Sequence, residues 1–155
     1  MVVKDYGTVT IELDADTAPI TVTNFVNLVK EGFYDGLTFH RIIEGFMVQG
    51  GASNDRNVDT IKGEFALNGI ENNISHVRGV ISMARSDNYD SASSQFFIMH
   101  QDNKGLDGKY AAFGKVISGI EVIDELVKVP VEDNNGTVLA ENQPVIEKIE
   151  MITLQ

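Results

Sequence analysis

Short segments rich in β-branched and aromatic residues dominate the chain between residues 37 and 119, and clusters of Gly, Asn, Asp and Ser separate them. Such a regular alternation of apolar segments and turn residues predicts antiparallel strands arranged as a barrel or a sandwich. The segments expected to form strands are 37–43, 46–50, 60–66, 79–84, 95–99 and 112–117. The chain is therefore predicted to be mainly β.

The two flanks of this region add strands and helices. Residues 7–13 alternate apolar and polar side chains, and residues 145–152 are rich in β-branched residues, so both are expected to be strands. Residues 17–32 have a proline at their start, apolar residues at helical spacing and a glycine at their end, which predicts an amphipathic helix. Residues 120–128 predict a second, short helix with acids in its first turn. The expected total is about eight strands and two helices.

Composition limits the number of domains and the classes of partner. The 155 residues, 43% of them hydrophobic, suit a single domain over residues 1–155, and no linker-like stretch divides them. A formal net charge of −11 opposes binding to nucleic acid or to anionic membranes. The chain has no cysteine, no signal-like N-terminus and no apolar stretch of membrane-spanning length. We therefore expect a soluble, cytoplasmic monomer without disulfides.

The common catalytic motifs are absent from the sequence. His40, His76 and His100 lack the paired spacing of metal ligands, so neither a metal nor another cofactor is expected. No serine lies in a Gly-x-Ser-x-Gly elbow, which leaves a hydrolase triad without its nucleophile. No glycine-rich phosphate loop is present, and nucleotide chemistry therefore has no support.

Two other clusters can carry chemistry. The first, residues 39–51, combines Arg41 with two large apolar residues, Phe46 and Met47. On spacing alone, these two can be core residues beside a surface arginine, or they can form a site with it. In the second, residues 94–99, an alternating strand directs Gln95 and Phe97 to one face and Phe96 to the other. One aromatic ring can then be core while the next lines a pocket beside an amide.

Together these segments resemble the cyclophilin-type peptidyl-prolyl cis/trans isomerases. The resemblance rests on Phe39-His40-Arg41-Ile42-Ile43, Gly45-Phe46-Met47-Val48-Gln49-Gly50-Gly51, Ser94-Gln95-Phe96-Phe97-Ile98 and Leu106-Asp107-Gly108-Lys109. It extends from about Gly7 to Ile152. It implies a closed eight-stranded antiparallel barrel capped by two α-helices. It also implies a protein-folding catalyst or chaperone that acts on proline-containing peptides and unfolded segments.

The resemblance assigns roles to ten residues. Arg41 corresponds to the catalytic arginine, which would stabilise the twisted Xaa-Pro bond without a covalent intermediate. The proline pocket would be formed by Phe46, Met47, Phe97, Leu106 and Tyr110. The substrate main chain would be held by Gln49, Gln95 and the backbone around Ala84 and Arg85. Two other functions stay open: a binding module that holds proline-containing partners, and a metal-dependent hydrolase that uses the histidines.

The chain departs from the family pattern at several positions. Many members carry a tryptophan where this chain has Gly105, and that tryptophan helps bind cyclosporin, so weakened affinity for cyclosporin is expected. Tyr110 stands where many members have histidine, and Arg85 stands where asparagine is frequent. Residues 52–60 lack a glycine-rich run and look shorter than in many relatives. We expect these changes to alter specificity beyond proline rather than to abolish activity.

Overall fold

The computed structural model describes residues 1–153 and contains, within them, nine β-strands and two α-helices. The strands are β1 (Val2–Val3), β2 (Gly7–Thr8), β3 (Thr10–Leu13), β4 (Phe39–Ile43), β5 (Met47–Gly50), β6 (Val80–Met83), β7 (Phe96–Met99), β8 (Ala112–Ser118) and β9 (Ile146–Lys148). The helices are α1 (Pro19–Lys30) and α2 (Ile120–Leu126). The prediction of a mainly β chain with two helices is therefore confirmed.

The strands form two antiparallel sheets. One has three strands in the order β2-β1-β9, and the other has six in the order β3-β8-β6-β7-β5-β4. Within residues 1–153 neither sheet closes on itself. The prediction of a closed eight-stranded barrel is therefore wrong, both in the closure and in the number of strands.

Short strands and shifted registers account for the open sheets. β1, β2 and β9 have only two or three residues each, and the pairing slips between Thr10 and Ile11 where β3 meets β8. Beyond β4, the segment that precedes β9 contributes only isolated bridges, from Thr38 to Val145 and from Arg41 to Thr137. Loop residues therefore take the place of a continuous strand ladder at this edge.

Residues 60–66 were also predicted to be a strand, but they contribute only one bridge, from Ile61 to Ala92. The buried carboxylate of Glu64 instead accepts hydrogen bonds from the N–H and the hydroxyl of Thr21, both at 2.6 Å, in the first turn of α1. Phe65 packs edge-to-face against Tyr89. Tertiary contacts thus override the β-propensity of this segment.

Two apolar clusters occupy opposite faces of β7. The main core joins α1, α2 and the sheets, and it contains Phe96, whose ring meets Phe25 of α1 edge-to-face at 5.8 Å. The second cluster, named here the outer cluster, is formed by Met47, Val80, Phe97, Met99 and Ala112. Because side chains alternate along a strand, the neighbours Phe96 and Phe97 belong to different clusters. The outer cluster forms the floor on which the candidate site is built.

The chain enters α2 through a backbone conformation that requires glycine. Gly119 has φ +89°, and a Cβ there would lie 2.1 Å from the carbonyl oxygen of Thr8. α2 therefore begins immediately after the close approach of β8 to the N-terminal segment. Over residues 1–153, neither helix is long and apolar enough to span a bilayer.

Candidate active site

A cavity of about 220 Å³ opens beside the outer cluster. It is lined by Arg41, Phe46, Met47, Gln49, Ala84, Arg85, Phe97, Leu106 and Tyr110. These are nine of the ten residues to which the resemblance assigned a role. The tenth, Gln95, precedes β7 and accepts a hydrogen bond from Nε2 of Gln49 at 2.9 Å. Residues from five separate segments are thus brought to one place, although their roles stay predictions.

Strand pairing determines which side chains lie next to one another on the polar side of the cavity. β4 pairs with β5 so that Arg41 lies opposite Gln49, and β5 pairs with β7 so that Gln49 lies opposite Phe97. Nη1 of Arg41 donates to Oε1 of Gln49 at 3.2 Å, and Gln49 in turn donates to Gln95. A continuous hydrogen-bonded row therefore connects the guanidinium with both predicted substrate-binding amides.

The sequence interpretation missed one residue at the site. Nε of Arg41 donates to the main-chain oxygen of Asn135 at 2.8 Å, and Nη2 donates to its side-chain Oδ1 at 3.1 Å. The sequence around it, Asn134-Asn135-Gly136, has only the composition typical of a turn. The β-bridge between Arg41 and Thr137 places this turn at the edge of β4. A contact over 94 residues leaves no local signal in the sequence, so pattern reasoning could not have found it.

The apolar wall of the cavity is ordered by ring packing. Phe97 meets Tyr110 edge-to-face with 5.8 Å between ring centroids. On its other side Phe97 is stacked on His76, with the rings 6.1 Å apart and inclined by 20°. Only 5% of Phe97 is exposed, whereas Tyr110 and Leu106 are half-buried. A partly open apolar socket of this kind suits a small ring such as that of proline.

Behind this wall, a polar network connects two buried side chains, His76 and Ser82, with the half-buried Asp107. Nδ1 of His76 lies 3.0 Å from Asp107, and Nε2 lies 2.9 Å from the hydroxyl of Ser82. Burial lowers the pKa of His76, although the hydrogen bond and the charge of Asp107 oppose this effect. Burial alone would raise the pKa of Asp107, but hydrogen bonds from Ser75 and His76 lower it. The pair is therefore a neutral imidazole beside a carboxylate at neutral pH.

Ser82, His76 and Asp107 have the contacts of a hydrolytic triad but not its accessibility. Both Ser82 and His76 are fully buried, and no face of the serine hydroxyl is open to a substrate. The histidine instead stacks against the ring of Phe97. This network therefore supports the cavity wall rather than offering a nucleophile.

Arg85 also lines the cavity, and its guanidinium makes several contacts with neighbouring groups. Its Nε donates to the carbonyl oxygen of Lys109 at 3.1 Å, and Nη1 donates to that of Ser86 at 2.9 Å. Its guanidinium stands 4.5 Å from the ring centroid of Tyr110, a cation–π arrangement. The amide of Ala84 donates to the carbonyl oxygen of Gln95 at 3.0 Å, so this N–H is already engaged. A substrate would therefore have to use other backbone groups of this segment.

The histidines do not converge on a common point. His76 contacts Asp107, whereas His100 lies 3.2 Å from Asp124 and accepts a hydrogen bond from the amide of Gly45. His40 belongs to β4. Among residues 1–153, no group of three or more His, Asp or Glu side chains is arranged to hold a metal ion. The metal-dependent hydrolase thus gains no geometric support.

The chain is similar to proteins of one known family over nearly its whole length. The family model described as cyclophilin type peptidyl-prolyl cis-trans isomerase/CLD matches residues 1–152. Peptidyl-prolyl cis-trans isomerase A of Dickeya dadantii is 41% identical over 145 residues, which cover 90% of this chain and 76% of that protein. Peptidyl-prolyl cis-trans isomerase B of Bacillus subtilis is 40% identical over 142 residues, covering 89% and 91% respectively.

A solved structure is similar over nearly its whole length. It is the crystal structure of a Cryptosporidium parvum cyclophilin type peptidyl-prolyl cis-trans isomerase in the presence of the dipeptide Ala-Pro. It is 26% identical, the TM-score is 0.82, and the match covers 97% of this chain and 96% of that one. From the match of the family model and the identity with these relatives, we conclude that the chain belongs to the cyclophilin-type peptidyl-prolyl cis-trans isomerases.

Proposed function

We propose that the isomerase acts on Xaa-Pro bonds in the cavity described above and that Arg41 assists the rotation without a covalent intermediate. The observation that carries this proposal is the guanidinium of Arg41, fixed at the edge of an apolar socket. Three of its five N–H groups donate within the protein, which leaves two without a partner in residues 1–153. Those two are the groups that a substrate can meet.

The chemistry of the peptide bond explains why a cation suits this reaction. Rotation about a C–N bond with partial double-bond character faces a barrier of about 18–20 kcal/mol. In the twisted state the prolyl nitrogen loses conjugation and becomes a better hydrogen-bond acceptor. A guanidinium near that nitrogen therefore stabilises the twisted state more than the planar one. A lysine at this position would lack the fork of donors that Arg41 presents.

The remaining residues would bind the substrate. Phe46, Met47, Phe97, Leu106 and Tyr110 form an apolar socket for the pyrrolidine ring, which excludes water. Gln49, Gln95 and the backbone around Ala84 and Arg85 would hold the flanking main chain. The Cryptosporidium parvum structure, obtained in the presence of the dipeptide Ala-Pro, supports proline-containing peptides as partners. Both directions of the reaction are accelerated, and the equilibrium of the free peptide is unchanged.

NMR exchange spectroscopy on a short Xaa-Pro peptide tests this proposal. We expect substoichiometric wild-type protein to accelerate cis/trans exchange, and Arg41→Ala to reduce turnover about 10²–10³-fold, as for other lost electrostatic donors. The control is Arg56→Ala, because Arg56, like Arg41, donates to a main-chain oxygen but does not line the cavity. We expect this control to retain turnover.

Two outcomes would change the assignment. Near-normal turnover by Arg41→Ala would remove Arg41 from the mechanism. Binding of the peptide by the wild type without accelerated exchange would favour the alternative function, a module that holds proline-containing partners.

Three further properties are part of the proposal. The protein would act as a monomer in the cytoplasm, which size-exclusion chromatography and cell fractionation test. Cyclosporin would bind weakly, because the chain has no tryptophan and Gly105 stands at the position concerned. Tight binding in a cyclosporin titration would contradict this expectation.

A further inference from the structure

Two different oxygens of Asn135 accept hydrogen bonds from one edge of the Arg41 guanidinium. Its main-chain oxygen accepts from Nε at 2.8 Å and its Oδ1 accepts from Nη2 at 3.1 Å. Gln49 accepts from Nη1 at 3.2 Å. Because a guanidinium is planar and its N–H groups have fixed directions, acceptors on all three nitrogens define both the position and the plane of the group.

The turn that carries Asn135 is itself fixed. Oδ1 of Asp133 accepts from the amides of Asn135 and Thr137, at 3.0 and 3.1 Å. Gly136 has φ +80°, its carbonyl oxygen accepts from the amide of Ile42 at 2.8 Å, and a Cβ on it would lie 2.3 Å from the oxygen of Ile42. The turn is therefore docked against β4, directly beside Arg41.

We propose that Asn135 is the positioning residue of the isomerase site, acting through Arg41 rather than on the substrate. This inference rests on the catalytic role proposed for Arg41. Without the Oδ1 acceptor, the long arginine side chain spends less time in the orientation that meets the prolyl nitrogen. Since Arg41 contributes more to the twisted state than to the bound ground state, the loss falls on kcat and leaves KM nearly unchanged.

The chain supplies a matched control in the adjacent residue. Asn134 has the same side chain in the same exposed turn. Within residues 1–153 its side chain makes no hydrogen bond, whereas that of Asn135 holds Arg41. Asn134→Ala and Asn135→Ala therefore remove identical atoms, and only the second removes a contact with the guanidinium.

The test measures kcat and KM by NMR exchange at several peptide concentrations. We expect Asn135→Ala to lower kcat about tenfold, equivalent to about 1.4 kcal/mol, with KM within about twofold of wild type. The main-chain contact to Nε survives this substitution, so the loss is smaller than that of Arg41→Ala. Asn134→Ala should match the wild type in both constants.

Two further readouts separate positioning from a general structural effect. The Nε–Hε resonance of Arg41, assigned by its disappearance in Arg41→Ala, should shift in Asn135→Ala and not in Asn134→Ala. In the double variant Arg41→Ala/Asn135→Ala, kcat should equal that of Arg41→Ala alone, because a residue that acts only through Arg41 has nothing left to position.

Each alternative result has a distinct meaning. If Asn135→Ala has the kcat of Asn134→Ala while Arg41→Ala is nearly inactive, Asn135 has no positioning role and the proposed function stands. An additional loss in the double variant also overturns the inference, since Asn135 would then act independently of Arg41. Full activity of Arg41→Ala removes Arg41 from the mechanism and overturns the inference with it, because the inference rests on the role of Arg41.

Discussion

The main core and the outer cluster differ in whether the packing of their apolar residues leaves space for a ligand. In the main core, Phe96 is fully buried and its ring packs against those of Phe25, Tyr34 and Phe39. In the outer cluster, Phe97 contacts rings on two sides and borders the cavity on another. The first arrangement leaves no space for a ligand, and the second leaves a socket.

This difference arises between consecutive residues of one strand. β7 directs Phe96 into the main core and Phe97 into the outer cluster because its side chains alternate between faces. The same strand therefore stabilises the fold with one ring and shapes the site with the next. A substitution at Phe96 should therefore reduce stability more than activity. A substitution at Phe97 should reduce activity more than stability.

The largest effect on stability is expected for Phe96→Ala. Removing a fully buried ring should lower the free energy of unfolding by about 3–5 kcal/mol, measured by urea denaturation. Below the unfolding transition, the kcat/KM of the folded fraction should stay close to that of the wild type. A large loss of kcat/KM in fully folded protein would remove the distinction between the two clusters.

Phe97→Ala should reduce activity more than stability. Its ring borders an open cavity, so the loss of stability should be smaller than for Phe96→Ala. We expect kcat/KM for an Xaa-Pro peptide to fall about tenfold or more, equivalent to about 1.4 kcal/mol per factor of ten, with peptide binding weakened. Equal destabilisation by both variants, with activity retained in Phe97→Ala, would contradict this reading of the outer cluster.

A smaller, pH-dependent effect is expected from His76, which supports Phe97. Burial lowers its pKa below the ordinary value of 6.5, so on acidification the unfolded chain binds the proton first. The stabilising contribution of neutral His76 is therefore complete above about pH 6.5 and is lost as the pH falls from there toward the lower pKa of the folded state.

The measurement is urea denaturation at about pH 7.5 and about pH 5.5, on either side of that range. The wild type should lose more stability between these values than His76→Gln, whose side chain does not titrate. Burial and the charge of Arg41 also lower the pKa of His40, so the wild type alone would report on both histidines. The difference in lost stability between the wild type and His76→Gln isolates the contribution of His76. An equal loss in both proteins would show that His76 does not contribute.

Much of the site could be predicted from the sequence because its residues lie in locally recognisable segments. The alternation around Phe97 and the spacing of Arg41 and Gln49 determine which side chains share a face once strands form. Nine of the ten residues named by resemblance to the cyclophilin-type isomerases line one cavity, and Gln95 is hydrogen-bonded to one of them. The two helices were likewise evident from apolar periodicity, which depends on neighbours within a few residues.

The sequence by itself therefore determined the mainly β character and the two helices, since local geometry sets both, and its motifs named the cavity residues by their resemblance to a known family. Tertiary structure decided the open sheets, the loop at residues 60–66 and the contact of Asn135 with Arg41. These depend on close approaches between distant segments, such as Gly136 against Ile42, where a backbone oxygen leaves no space for a Cβ. Because such contacts are set by packing across the whole domain, no local pattern in the chain encodes them.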